Sequence, residues 1–273
     1  MRSLFLLTIV AAFAVAAIVR QKSPALDLAR FDLVDLTHAF DAKTLYWPNS
    51  PTTFRLDTLA YGPTPGGWFY SAHAYAAPEH GGTHLDAPSH FAADRHTADQ
   101  VPLSRLIAPA VVIDVTPRAE ADADYRLTID DLTAFEKRYG EIRPGSIVLL
   151  ETGWGKRWPD RKAVFGDDTP GDASRLHFPG FGAEAARVLV EQRKVAAIGV
   201  DTPSIDQGPS QDFAVHRIAA AANVPAFENL AGLERLPPKG AVVFALPMKI
   251  AGGSGGPLRA VALVPKQPVD APR

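Results

Sequence analysis

The sequence predicts a mixed α/β fold in a single domain. Strand-like apolar runs are interspersed with helix-patterned segments along the whole chain. There is no internal repeat and no long linker. The helices are spaced too irregularly between the strands for a TIM barrel or a plain Rossmann fold.

Residues 1–22 come first and stand apart from the fold. Arg2 precedes an apolar run from Leu4 to Val19, broken only by Thr8, and Arg20, Gln21 and Lys22 follow it. With small residues at Ala14-Val15-Ala16, this reads as a secretory signal. It is short for a membrane span, which needs about 20 apolar residues. An uncleaved anchor is the alternative, because Arg20 and Lys22 are unusual so close to a cleavage site. Either reading predicts an exported protein, periplasmic or secreted, that meets a membrane only through residues 1–22.

The domain is expected over residues 23–264. Phe31–Leu36 alternates like a strand. Residues 43–70 carry Pro48, Pro51, Pro63 and Pro65 among aromatics, so they read as loops and short strands. Ala110–Val115 is a buried strand. Thr128–Tyr139 is a helix with Thr128 as its N-cap and Gly140 as its stop. Ser146–Leu150 is a strand, Ala183–Gln192 a helix, and Val195–Val200 a strand ending at Asp201-Thr202-Pro203. Asp212–Ala222 is a helix closed by Asn223 and Pro225. Ala241–Leu246 and Leu258–Val264 are strands separated by a flexible loop, Gly252–Gly256, and residues 265–273 form a loose tail.

Composition narrows the function. The 273 residues suffice for a real core, and 47% hydrophobic with 21% charged residues excludes a disordered chain. There is no cysteine, which excludes disulfides, iron–sulfur clusters and thiol catalysis, so a metal must be held by His and carboxylates. A net charge of −2 without a basic run argues against a nucleic-acid partner.

The informative segment is His80-Gly81-Gly82-Thr83-His84-Leu85-Asp86-Ala87-Pro88-Ser89-His90. The spacing of His80 and His84 suits a helical zinc site, but Gly81, Gly82 and the flanking Pro78 and Pro88 rule out a helix. In an extended chain His84 and Asp86 leave the same face. His80 reaches that face if Gly81-Gly82 turns the chain. Two imidazoles and a carboxylate are an ordinary ligand set for Zn²⁺ or Mn²⁺. Pro88 can kink His90 back toward the ion, where it would act as an acid/base group.

This segment resembles the H-x-G-T-H-x-D-x-P-x-H motif of the metal-dependent cyclase family, which includes bacterial kynurenine formamidase and isatin hydrolase. Asp35-Leu36-Thr37 with Trp47-Pro48, residues 148–154 (VLLETGW) and residues 199–206 (GVDTPSID) are similar to other parts of that family. The resemblance implies that His80, His84 and Asp86 bind a catalytic metal and that His90 shuttles protons. It also implies that His216 and Glu228, twelve residues apart, can hold a second ion bridged by Asp86. One or two divalent ions per chain, Zn²⁺ or Mn²⁺, would then be present. The implied fold is a swivelling β/β/α domain, in a homodimer or higher homo-oligomer.

Other candidates are weaker. Trp68, Phe69, Tyr70 and Phe91 flank the motif and could wall an aromatic pocket or pack in the core. His73, His96 and His177 read as surface or structural, with His177 the best of them for a substrate contact. Asp201 and Asp206 read as turn caps. Gly252–Gly256 lacks the Lys-Ser/Thr of a phosphate loop, and no G-x-S-x-G elbow is present. The expected function is an exported metal-dependent hydrolase of a small, ring-bearing, non-peptide amide, such as an aryl formamide, an isatin-like cyclic amide or a related lactam or lactone. The alternative is a non-catalytic metal- or ligand-binding protein on the same fold.

Overall fold

Apolar runs that are buried on both faces need cover on both sides. The computed structural model describes residues 26–266 and supplies that cover. The strands are β1 (Phe31–Asp35), β2 (Arg55–Pro63), β3 (Phe69–Ala76), β4 (His84–Asp86), β5 (Ile107–Asp114) and β6 (Arg126–Leu127). They continue with β7 (Ile147–Glu151), β8 (Gly180–Phe181), β9 (Ala197–Val200), β10 (Ala226–Glu228), β11 (Lys239–Pro247) and β12 (Gly255–Pro265). The expectations for residues 1–22 and 267–273 lie outside the described residues.

The main sheet runs β1-β12-β11-β5-β7-β9-β10-β4 and closes on itself because β4 also pairs with β12. β1 lies outside the ring, along the C-terminal half of β12. β5, β7, β9 and β10 are mutually parallel, and the remaining pairs are antiparallel. Side chains alternate strictly across this wall. Ala110, Val112, Ile147, Leu149, Phe227, Ala245 and Ala260 fill the barrel. Alanine at so many inward positions lets a narrow ring close without voids or clashes. Val111, Ile113, Val148, Leu150 and Ile198 face outward onto Leu132, Phe135, Ala185 and Leu189 of the helical layer.

The helix Ile129–Tyr139 starts and stops where its sequence signals place it. Thr128 and Asp131 form a reciprocal capping box, and Gly140 ends it at φ 82°. The segment expected as one helix over 183–192 is an α-helix, Ala183–Arg187, that continues as a π-helix, Val188–Gln192. The helix expected over 212–222 spans Ala214–Ala221, because Phe213 sits in the left-handed region at φ 48°.

Three local expectations are corrected. Within residues 43–70, expected as loops and short strands, residues 55–63 and 69–70 belong to one long antiparallel hairpin, β2–β3, that runs on to Ala76. Gly255 and Gly256 are not loop but the start of β12, paired with Asp86 and Leu85. Pro265, placed at the head of the tail, pairs with Phe31.

At the ends of the parallel strands, Asp114 and Glu151 are directly opposed. Burial, then the charges of Asp114, Asp201 and Glu234, push the Glu151 carboxyl from 4.5 up to about 7. The folded protein therefore keeps this proton to higher pH than the unfolded chain. The destabilisation is absent below about 4.5 and complete above about 7. Glu151→Gln is expected to raise the melting temperature at pH 8 and to leave it unchanged at pH 4.5. Thermal scans at both values check this, and an equal change at both would contradict it.

Candidate metal centre

Strand parity delivers the first two side chains. His84 and Asp86 leave the same face of β4, and Glu228 lies directly opposite His84 on β10. Before them, Gly81 (φ 155°) and Gly82 (φ 57°) turn the chain and bring His80 onto that face. A side chain on either glycine would run into the rings of Tyr46 or Phe40. After them, Pro88 opens a single 3-10 turn, Pro88–His90, which lays the His90 ring flat on His80 at 3.8 Å between centroids.

Asp86 is the hub. Its Oδ1 lies 2.7 Å from His80 Nδ1 and 3.1 Å from His84 Nε2, and its Oδ2 lies 3.0 Å from His216 Nε2. His216 Nε2 is also 3.1 Å from Glu228 Oε1, and His84 Nε2 is 3.5 Å from Glu228 Oε2. The outer nitrogens are engaged elsewhere. His84 Nδ1–H donates to the Gly82 carbonyl (3.0 Å). His216 Nδ1–H donates to Asp206 Oδ2 (2.7 Å). Asp206 also accepts the backbone N–H groups of Val215 and His216, so it seats both the helix and the ring. That role exceeds the turn cap expected from sequence. Asp201 holds not its own turn but the one at Thr152–Gly155, accepting from the Thr152 N–H and hydroxyl and from the Gly155 N–H.

Burial should disfavour every charge here, yet the groups favour positive charge. Burial would lower His84, but the close carboxylates of Asp86 and Glu228 outweigh it and push His84 up to about 9. His216 is raised well above its usual value, burial being overcome by Asp206, Asp86 and Glu228. Burial would raise Asp86, but the surrounding imidazoles hold it well below the usual carboxylate range. Glu228 is raised by burial and by the charge of Asp86. His90 goes the other way, with burial pushing it down to about 4 against the pull of Asp86.

The donor set fits a divalent cation. His80, His84 and Asp86 form one group, and Asp86, His216 and Glu228 a second, with donor atoms within 4.8 Å of one another in each. His84 Nε2 is buried, points into the cluster and has no hydrogen-bond partner. Imidazole and carboxylate donors in this number suit Zn²⁺ or Mn²⁺.

Over the cluster lies a pocket of about 240 Å³ whose walls include Tyr46, Trp47, Phe91, Phe165 and Phe213. Phe91 is the one flanking aromatic candidate that reaches it, 4.4 Å from the His216 ring. Trp68, Phe69 and Tyr70 do neither of the things expected of them. They sit on the β2–β3 hairpin, 63%, 60% and 53% exposed, because the hairpin carries them away from the barrel. His73 is exposed on the same hairpin, His96 lies outside the pocket, and His177 pairs with Asp124 at the surface. The sequence reading missed Tyr46, Phe165 and Phe213 as walls. Tyr46 sits next to the noted Trp47-Pro48, and Phe213 lies one turn before His216, which are the signals that could have found them.

The family model described as "Putative cyclase" matches residues 34–207. The isatin hydrolase of Roseibium aggregatum is 36% identical over 208 residues, covering 73% of this chain and 77% of the relative. The kynurenine formamidase of Salinibacter ruber is 29% identical over 186 residues, covering 67% and 74%. A crystal structure of an isatin hydrolase bound to the product analogue thioisatinate superposes with a TM-score of 0.79 at 32% identity, covering 87% of this chain and 94% of that one. His216 and Glu228 lie beyond the stretch matched by the family model.

A phenylalanine at φ 48° is strained by about 1–2 kcal/mol. Phe213 is held there by its rings of contact with Trp47, Phe91 and His216. Phe213→Ala keeps the strain without the contacts, whereas Phe213→Gly relieves it. The glycine variant is expected to melt no lower than the alanine variant, the reverse of the usual ~0.5–1 kcal/mol penalty of glycine. Denaturant titration of both variants checks it.

Proposed function

The chain belongs to the cyclase family, and on that premise we propose that it is a metal-dependent hydrolase of a small, ring-bearing, non-peptide amide, an aryl formamide or an isatin-like cyclic amide. One observation carries the reading. Five buried or half-buried His, Asp and Glu donors converge beneath an aromatic pocket, with a sixth group, His90, stacked against them.

His80, His84 and Asp86 would hold one Zn²⁺ or Mn²⁺ ion, and His216 and Glu228 a second, with Asp86 shared. Such an ion supplies a Lewis acid for the carbonyl and acidifies water toward neutrality. The chain's own residues do the rest. His90, held down to about 4, is neutral at pH 7 and has a lone pair to accept a proton. It returns that proton to the nitrogen that departs as the C–N bond breaks. Trp47, Phe91 and Phe213 present flat apolar faces that hold a ring and exclude water. A purely ligand-binding protein has no use for a neutral imidazole at this place, which favours the enzyme.

The same reading extends to assembly and location. A two-stranded hairpin exposed on both faces is marginal alone, so a second copy of the chain covering β2–β3 accords with a homodimer. Residues 1–22 are proposed to export the protein.

Metal-replete protein is expected to hydrolyse N-formylkynurenine, isatin or a related lactam or lactone, to lose activity to a chelator, and to regain it with Zn²⁺ or Mn²⁺. Inertness across that panel would favour the binding protein instead. His84→Ala should lose metal on dialysis. His90→Ala should keep metal and lose about 10²–10⁴ in turnover. Because His84 is raised to about 9, it carries an extra proton at pH 7.5 without metal, and binding must expel it. Calorimetry of Zn²⁺ binding in buffers of different ionisation enthalpy should show that release, and buffer-independent heats would count against it.

A further inference from the structure

The third imidazole of the cluster is supported differently from the other two. His84 and His216 are fixed by acceptors close to them in sequence, Gly82 and Asp206. His80 is fixed by a residue from the opposite end of the chain. His80 Nε2 lies 2.9 Å from Ser254 Oγ, and Ser254 Oγ lies 2.6 Å from Glu79 Oε2.

The protons in this chain can be placed. An ionised carboxylate only accepts, so the Ser254 hydroxyl donates its single proton to Glu79. The Ser254 oxygen can then only accept from the ring, and His80 Nε2 must carry a hydrogen. The other nitrogen, Nδ1, lies 2.7 Å from Asp86 Oδ1, a hydrogen bond that it would give up to bind a metal, since a metal ligand is deprotonated. The Nδ1–H groups of His84 and His216 are engaged by Gly82 and Asp206, so Nε2 is the nitrogen that each would offer a metal.

The Gly252–Gly256 segment is built for this contact. A Cβ on Gly253 would lie 2.6 Å from Glu79 Oε1, and one on Gly255 would lie 2.6 Å from His80 Cε1. On Gly253 the clash is with the carboxylate that holds Ser254, and on Gly255 it is with the Leu85 carbonyl and the His80 ring. The segment is also anchored, since Ser254 accepts from Ala87 N–H through its carbonyl and donates its own N–H to Glu79, while Gly253 accepts from Ala98 N–H. A stretch that reads in sequence as a mobile loop is a clamp.

We infer that Glu79 and Ser254 are positioning residues that hold His80 in its Nε2–H form. His80 therefore offers Nδ1 to a metal ion where His84 and His216 offer Nε2. The inference rests on the metal-centre reading above. Outer hydrogen-bond partners of ligating histidines typically contribute about 10–100-fold in metal affinity.

The test is a chelator competition with Zn²⁺ alone on the full chain, together with ¹⁵N ring spectra of the Zn²⁺-loaded protein. Ser254→Ala and Glu79→Leu are each expected to bind Zn²⁺ about 10–100-fold more weakly. Glu79→Gln keeps an oxygen that can accept from both the Ser254 hydroxyl and its N–H, so it should stay within a few fold of wild type. The ring spectra should show His80 with Nδ1 bound and a protonated Nε2, and in Ser254→Ala that Nε2 proton should exchange rapidly with water. The wild-type spectrum needs no variant, so a misfolded substitution does not spare the inference. His80 bound through Nε2, or equal Zn²⁺ affinity in all four proteins, would overturn it while leaving the metal centre intact. A wild-type protein that takes up no Zn²⁺ would overturn the metal centre itself and this inference with it.

Discussion

The three-residue strand β4 pairs on both sides, with β10 along one edge and with the start of β12 along the other. That double ladder is the constraint on which the rest depends. It closes the barrel, and it does so with the residues that carry the chemistry. Because register in a sheet is set in steps of one residue, a slip on either side would turn His84 and Asp86 to the opposite face. The β10 ladder puts Glu228 opposite His84. The β12 ladder puts Gly255 opposite Asp86 and so brings Ser254 to the His80 ring. Barrel closure and assembly of the centre are one event.

Closure also buries charge that water would otherwise solvate. Asp86, Asp206 and Glu228 are all buried, and no lysine or arginine pairs with them among the described residues. Three carboxylates in one place are tolerable only with compensating positive charge. Imidazolium protons can supply part of it, which is why His84 and His216 are raised. A divalent ion would supply it without charging the rings. An ion bound there would stabilise the native state by an amount that grows with the logarithm of its affinity.

How much of this is legible in the sequence follows from the range of each interaction. The pairing of His84 with Asp86 and the return of His80 through two glycines are set within seven residues, so parity and turn chemistry suffice. The capping box of Thr128 and Asp131 is equally local. His216 and Glu228 were found only through the resemblance, because nothing in an alanine-rich helix announces a ligand. Ser254 was missed as a partner of His80 because their contact spans 174 residues and leaves no spacing signal. Trp68, Phe69 and Tyr70 were misplaced for the converse reason. Nearness to the motif in sequence does not survive a hairpin that leads them away from it.

The pocket walls obey a different economy from the centre. His84, Asp86 and Glu228 sit on strands locked by ladders on both sides. Tyr46 and Trp47 belong to the segment before β2, Phe91 follows a single 3-10 turn, and Phe213 is held at a strained left-handed position before its helix. Trp47, Phe91 and Phe213 are fixed by ring-on-ring packing, whereas Tyr46 is bridged to Gly81 through the backbone. Substituting one changes the shape offered to a ring without disturbing the register that holds the donors. The walls nevertheless touch the centre, since Phe91 and Phe213 pack on the His216 ring and Tyr46 bridges Gly81, so a wall substitution can move a donor ring even where the strand register holds.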